Sequence, residues 1–223
     1  MPQRDDAAIE VTGFAWVPPF ARGHVRDLRV RWALEEIGLD YRTRLISAVE
    51  RPTSYFGEQP YGQVPYYKEG DVEIFESGAI VLHIAEKDER LLPRDPVGRV
   101  RAQTWLISAL NSMEPYIMNM VTIDGFCADQ EWALLRRPAQ VEMMERRLQH
   151  LSVALGDKDW LEGRFTVGDL MMVEALRNLS ADRLSIPQNL QDYVARGEAR
   201  PAFQAALAAQ LADFVPDEEG VPA

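Results

Sequence analysis

The chain runs to 223 residues, 47% hydrophobic and 26% charged, which is enough apolar material for one or two compact domains without covalent staples. Its formal net charge of −11 repels phosphate backbones and anionic lipid, and the arginines do not gather with aromatics into a groove, so neither nucleic acid nor a membrane surface is expected as a partner. The one cysteine, Cys127, forbids an intrachain disulfide, and with three scattered histidines (His24, His83, His150) it offers no metal-ligand spacing, so no metal is expected.

The start, Met1-Pro2-Gln3-Arg4-Asp5-Asp6, is acidic where an export signal is basic, and no run approaches the roughly 18 apolar residues of a membrane span. A soluble, cytoplasmic protein is expected. Ile9 to Trp16 mixes β-branched and aromatic residues before Pro18-Pro19 and reads as a strand entering a loop. Leu28, Trp32, Ala33 and Ile37 recur at helical spacing within Val25 to Ile37, which Gly38 stops. Tyr41 to Ile46 reads as a second strand, and Arg51 to Gly62 is broken by Pro52, Gly57, Pro60 and Gly62. Pro65 to Lys68, the turn Glu69-Gly70-Asp71 and Val72 to Phe75 form a hairpin, followed by a helix from Ser77 to about Lys87.

This βαβ-ββα order predicts a small mixed sheet with helices packed on it, over residues 1–90. Beyond the link Leu92-Pro93-Arg94-Asp95-Pro96 the pattern is all helical over 97–215. Helices are expected at Val97 to about Ile123 with a kink at Pro115, Asp129 to Leu155, Val167 to Leu179, and near Leu190 to Arg196 and Pro201 to Phe214. The tail, Pro216 to Ala223, reads as disordered. Thr166-x-x-Asp169 has the form of a capping box and is expected to be structural.

Four local matches carry a family resemblance that covers nearly the whole chain. They are Arg29-Val30-Arg31-Trp32-Ala33-Leu34-Glu35-Glu36-Ile37-Gly38; Gly62-Gln63-Val64-Pro65; Phe75-Glu76-Ser77-Gly78-Ala79-Ile80 with Ile84-Ala85-Glu86-Lys87; and Phe165-Thr166-Val167-Gly168-Asp169. With them the chain resembles the glutathione transferases, which implies an α/β thioredoxin-like N-terminal domain followed by an all-α domain. The resemblance further implies a cis bond before Pro65 and a Val64 backbone that pairs with the cysteinyl unit of glutathione, flanked by Gln63. Glu76 and Ser77, at a strand-to-helix junction, match the ammonium and carboxylate of the γ-glutamyl end. Arg51 is the candidate for the glycyl carboxylate, because an anion there needs a cation. The resemblance also implies a homodimer and a role in detoxification.

A free thiol with a pKa of about 8.5 is only a few per cent thiolate at neutral pH, and lowering that pKa by about two units takes roughly 2.7 kcal/mol of preferential thiolate stabilisation. Most family members supply a tyrosine, serine or cysteine at the end of the first strand or just after it. This chain departs from that pattern: between Ile9 and Asp40 the only hydroxyl is Thr12, and Phe14 or Trp16 fills the tyrosine-like position. Cys127 lies in the helical half and reads as a buried apolar thiol. The first loop offers Arg22, His24 and Arg26 instead, and Arg22, Arg26 and Arg29 fall on one face if the helix begins early. Backbone N–H groups at that helix start are the alternative activator. Trp16 and Phe20 from the loop, with Met113 and Tyr116 from the first helix of the second domain, are the candidate lining for an apolar electrophile. The expected function is therefore activation of glutathione, as substrate, for attack on a small electrophile. The rival readings are a non-catalytic glutathione or ligand-binding protein, or a glutathione-dependent peroxidase or lyase.

Overall fold

The structure is a computed structural model that describes residues 3–215, so the expected tail at 216–223 lies outside the described residues. The chain divides into two compact units, one built from the segment up to Leu91 together with the stretch from Arg200 on, the other from Leu92–Ala199.

In the first unit, β1 (Ile9–Phe14), α1 (Asp27–Ile37) and β2 (Tyr41–Ile46) form a parallel βαβ unit with Ile9 opposite Tyr41 and Phe14 opposite Ile46. β3 (Tyr66–Glu69) lies antiparallel to β1, and β4 (Val72–Phe75) antiparallel to β3, giving the sheet order β2-β1-β3-β4. β1 is therefore a central strand, and consecutive residues Val11 and Thr12 are both buried because both of its faces are covered. The Thr12 hydroxyl accepts from Arg44 Nη2 at 3.0 Å. β1 ends at Phe14, two residues before the expected Trp16. α2 (Ser77–Ala85) follows the hairpin.

The second unit holds α3 (Pro96–Ser108), α4 (Glu114–Val121), α5 (Glu131–Leu155), α6 (Val167–Leu176) and α7 (Gln188–Glu198). The bend expected at Pro115 is taken up just before it, by a wide π turn over Ala109–Met113. A proline ring clashes with the carbonyl four residues back, here that of Asn111; widening the turn sends the Glu114 N–H to Ala109 C=O instead. A second wide turn, Thr122–Phe126, extends the run past Ile123, and Cys127, expected to be buried, is only half-buried at its end. Every residue of α6 is buried. The capping box at its start is present as read: Asp169 accepts from Thr166 N at 2.9 Å, and also from Leu161 N at 2.9 Å and Tyr193 OH at 3.0 Å. Burial pushes the Asp169 carboxyl above the usual range against these donors.

α8 (Pro201–Asp213) departs from the expected all-helical half, for it belongs to the first unit and packs on α1. Arg200 holds both Glu36 oxygens at 2.6 and 2.7 Å, and Phe203 meets Trp32 edge to face at 5.0 Å. Helical periodicity marks an apolar face on 201–214 but carries no information on which surface covers it.

Candidate functional site in the first unit

The broken segment before β3 is held by side chains rather than by regular structure. Gln59 is buried, and its Oε1 accepts from Tyr61 N at 2.7 Å and Gln63 N at 3.2 Å. Tyr55 OH donates to Gln63 C=O at 2.7 Å, so the Gln63 backbone is fixed on both sides while its side chain stays exposed. Gly62 sits at φ 62°, and a Cβ there would stand 2.7 Å from the Phe56 ring and 3.1 Å from Arg51 Cδ, so only glycine fits the turn. The Val64–Pro65 bond that follows is cis. Val64 is 6% exposed in a cluster with Ile46, Tyr55 and Tyr66, against which Phe14, Val25 and Phe75 pack. Among the described residues no backbone hydrogen bond engages its N–H or C=O, which leaves a donor and an acceptor for an extended peptide.

Glu76, which joins β4 to α2, is the one residue other than glycine with positive φ among those described, at φ 71° and ψ 112°. Such a conformation is strained, and strain of this kind concentrates at ligand sites. The Glu76 carboxylate is exposed. Ser77 is the first helical residue and, unlike an N-cap, makes no capping bond. Instead its hydroxyl, in a residue 4% exposed, accepts from Nη1 of buried Arg29 at 3.1 Å. That bond occupies a lone pair of Ser77 Oγ and leaves its proton to donate. The first-turn N–H groups of α2 have no partner within the helix, so a hydroxyl, backbone donors, the positive helix end and a guanidinium converge on one point. Such a point suits an anion, and the adjoining exposed Glu76 carboxylate suits a cation.

The remaining candidates fall as follows. The Arg51 guanidinium lies 5.3 Å from the Phe14 ring centre, and its buried Nε has no hydrogen-bond partner among the described residues. α1 begins only at Asp27, so Arg22, Arg26 and Arg29 do not form the single helical face expected of an early start: Arg22 and Arg26 precede the helix, and Arg29 reaches α2. Arg22 lies over the Phe214 ring at 5.9 Å, His24 is exposed and Arg26 half-buried. Trp16 is half-buried and Phe20 is 63% exposed. In the second unit, Met113 is buried and Tyr116 half-buried beneath the Arg147 guanidinium, 3.5 Å from its ring centre. Gln59, Tyr55 and the Arg29–Ser77 bond escape sequence reasoning. Gln59 stands four residues before Gln63 in a stretch without periodicity, and nothing local marks its amide as the brace.

Among the described residues no three His, Cys, Asp or Glu side chains are grouped to hold a metal ion, and no helix is long and apolar enough to cross a membrane. A β2-β1-β3-β4 sheet flanked by helices, with a cis proline ahead of β3, defines a thioredoxin-like domain, here followed by a helical unit. The family described as "Glutathione S-transferase, N-terminal domain" matches residues 20–86. The glutathione S-transferase GstA of Escherichia coli O157:H7 is 27% identical over 79% of this chain and 90% of its own length. A glutathione S-transferase of Hyoscyamus muticus is 25% identical over 81% and 92%. In fold, the chain is similar to a glutathione transferase of Pseudomonas putida solved with glutathione disulfide bound (TM-score 0.79, 21% identity, 92% of both chains). It is also similar to one of Burkholderia graminis solved with two glutathione molecules per subunit (TM-score 0.79, 22% identity, 90% and 88%). Residues 20–86 thus fit the N-terminal domain family of the glutathione S-transferases, and the chain as a whole is similar to glutathione transferases in sequence and in fold.

The brace on the segment before β3 has a measurable consequence. Gln59→Leu keeps apolar bulk but strips Tyr61 N–H and Gln63 N–H of their acceptor, at a cost of roughly 0.5–1.5 kcal/mol for each hydrogen bond lost. Thermal denaturation is expected to show a melting temperature several degrees below that of the unaltered chain. An unchanged melting curve contradicts the bracing role.

Proposed function

We propose that the first unit binds glutathione and presents its thiolate to a small, largely apolar electrophile. The Arg29–Ser77 bond at the start of α2 carries this reading, because it builds an anion site beside the exposed Glu76 carboxylate, and the γ-glutamyl end of glutathione bears one carboxylate and one ammonium. In this reading Ser77 and the first N–H groups of α2 take the carboxylate and Glu76 the ammonium. Val64 pairs through its backbone with the cysteinyl unit, between Gln63 and Pro65, and Arg51 faces the glycyl carboxylate. Removing the Ser77 hydroxyl forfeits a charge-assisted bond worth roughly 1.5–3 kcal/mol, so Ser77→Ala weakens glutathione binding about tenfold or more by calorimetry. Equal affinity in the variant rejects the site.

For activation of the thiol we propose a cation in the loop between β1 and α1, since Thr12, the one hydroxyl of that region, is fully buried within the sheet. Arg22 is the leading side chain, with His24 and Arg26 beside it in the loop. Arginine stays protonated across the working range, whereas a histidine donor titrates near about pH 6.5. Arg22→Ala is expected to raise the pKa of bound glutathione, read from its ultraviolet thiolate absorbance, by about one unit or more. If Arg22→Ala, His24→Ala and Arg26→Ala each leave that midpoint unchanged, no single side chain of the loop is the activator. Backbone amides at the start of α1 then take its place.

We also infer, from the family, a cytoplasmic homodimer with an isologous interface. Light scattering is expected to give twice the 25.3 kDa of one chain, about 50 kDa, at micromolar concentration. A monomer contradicts the inference.

A further inference from the structure

The loop that bears Arg22, His24 and Arg26 is a succession of short turns, Pro19–Ala21 followed by bonds from His24 N–H to Ala21 C=O and from Leu28 N–H to Val25 C=O, both at 3.0 Å. The far end of the chain holds it at both ends and in the middle. At its start, Val215 N–H donates to Ala15 C=O at 2.9 Å. At its end, Nε2 of buried Gln210, on α8, donates to Val25 C=O at 3.0 Å and to Asp27 Oδ1 at 2.8 Å. Between these, the Phe214 ring faces the Arg22 guanidinium at 5.9 Å, and a Cβ on Gly23, at φ 78°, would stand 3.0 Å from Leu207 of α8. Asp213 fixes the segment in turn, through an ion pair with buried Arg31 at 2.7 Å and a bond from Gln3 at 3.2 Å. Val25, held by Gln210, packs on the cluster that contains Val64. α8 and the two residues beyond it therefore contact the loop at its start, middle and end, and Val25 ties that end to the cluster around Val64.

We infer that Phe214 is a positioning residue for thiolate activation: its ring holds the Arg22 guanidinium, and the Val215–Ala15 bond fixes the strand end from which the loop departs. An arginine side chain has many rotamers, and a cation that samples them all gives a thiolate only a fraction of the stabilisation that a fixed one gives. An aromatic face within about 6 Å restricts that sampling without neutralising the charge. The inference rests on the reading of Arg22 as activator, and the experiment separates the two.

The thiolate absorbance of bound glutathione is titrated against pH in the full chain and in Phe214→Ala, Phe214→Leu, Phe214→Tyr, Arg22→Ala and the Arg22→Ala/Phe214→Ala double variant. Phe214→Ala is expected to raise the midpoint by about half a unit or more, in the same direction as Arg22→Ala. Phe214→Leu, which keeps apolar bulk and loses the ring face, gives the same rise even if the alanine variant does not fold. Phe214→Tyr restores the original midpoint. The double variant rises no further than Arg22→Ala alone, because Phe214 acts through Arg22. A shift in Arg22→Ala with none in the alanine and leucine variants overturns the inference and leaves the reading of Arg22 standing. Additive shifts overturn it as well, since Phe214 then acts independently of Arg22. No shift in any variant overturns both.

Discussion

The first unit is organised around one buried cation. Arg31, on α1, is 1% exposed, and its guanidinium is held by Asp27 Oδ2 at 2.8 Å and by Asp213 Oδ2 at 2.7 Å. Burial works against this charge, and the facing carboxylates of Asp27 and Asp213 overcome it, so Arg31 holds its proton more tightly than usual. Such a network adds little stability relative to a well-packed apolar core, but losing one partner strands a buried charge at a cost of about 3–5 kcal/mol. The consequence is specificity of arrangement: only with α8 seated on α1 does every charge in the cluster find its counterpart. Seating α8 brings Gln210 to Val25 and Val215 to Ala15, so the same ion pairs that close the unit also set the first loop.

The proposed site divides into a part for recognition and a part for activation, and the two rest on different physics. The proposed recognition uses groups whose charge or dipole is fixed by the fold: the positive start of α2, the Arg29–Ser77 bond and the open backbone of Val64. These are rigid because Gln59, Tyr55 and Gly62 leave the segment ahead of Pro65 no freedom. Activation needs positive potential at one sulfur. The one hydroxyl between Ile9 and Asp40, Thr12, is buried in the sheet, so the proposed source is a guanidinium or backbone amides of the first loop. On the proposed reading, the contacts of α8 with the loop supply the rigidity.

How much of this could be read beforehand follows from the range of each interaction. Gln63-Val64-Pro65 and Glu76-Ser77 are short motifs whose meaning lies in adjacent backbone, and the strand and helix order through Ala85 follows from local periodicity and turn residues. The capping box at Thr166 is likewise local. By contrast, the Arg29–Ser77 bond spans 48 residues and the Gln210–Val25 bond 185, and neither pattern nor propensity reports on such distances. The helical spacing of Arg22, Arg26 and Arg29 suggested a shared face. The late start of α1 at Asp27 broke it, because Gly23 and the turn before Asp27 delay the regular phase. Pro115 announced a disturbance in the helix, but not that the turn before it would widen to absorb it.

The central claim is that the start of α2 and the open backbone of Val64 together form the peptide-binding surface of the first unit. A crystal structure of the chain grown with glutathione tests it most directly. The account predicts the γ-glutamyl carboxylate within hydrogen-bond distance, roughly 3 Å, of Ser77 Oγ and the first N–H groups of α2, with the cysteinyl backbone paired to Val64 N–H and C=O. Glutathione bound elsewhere, or seated with its γ-glutamyl end away from Ser77, contradicts it.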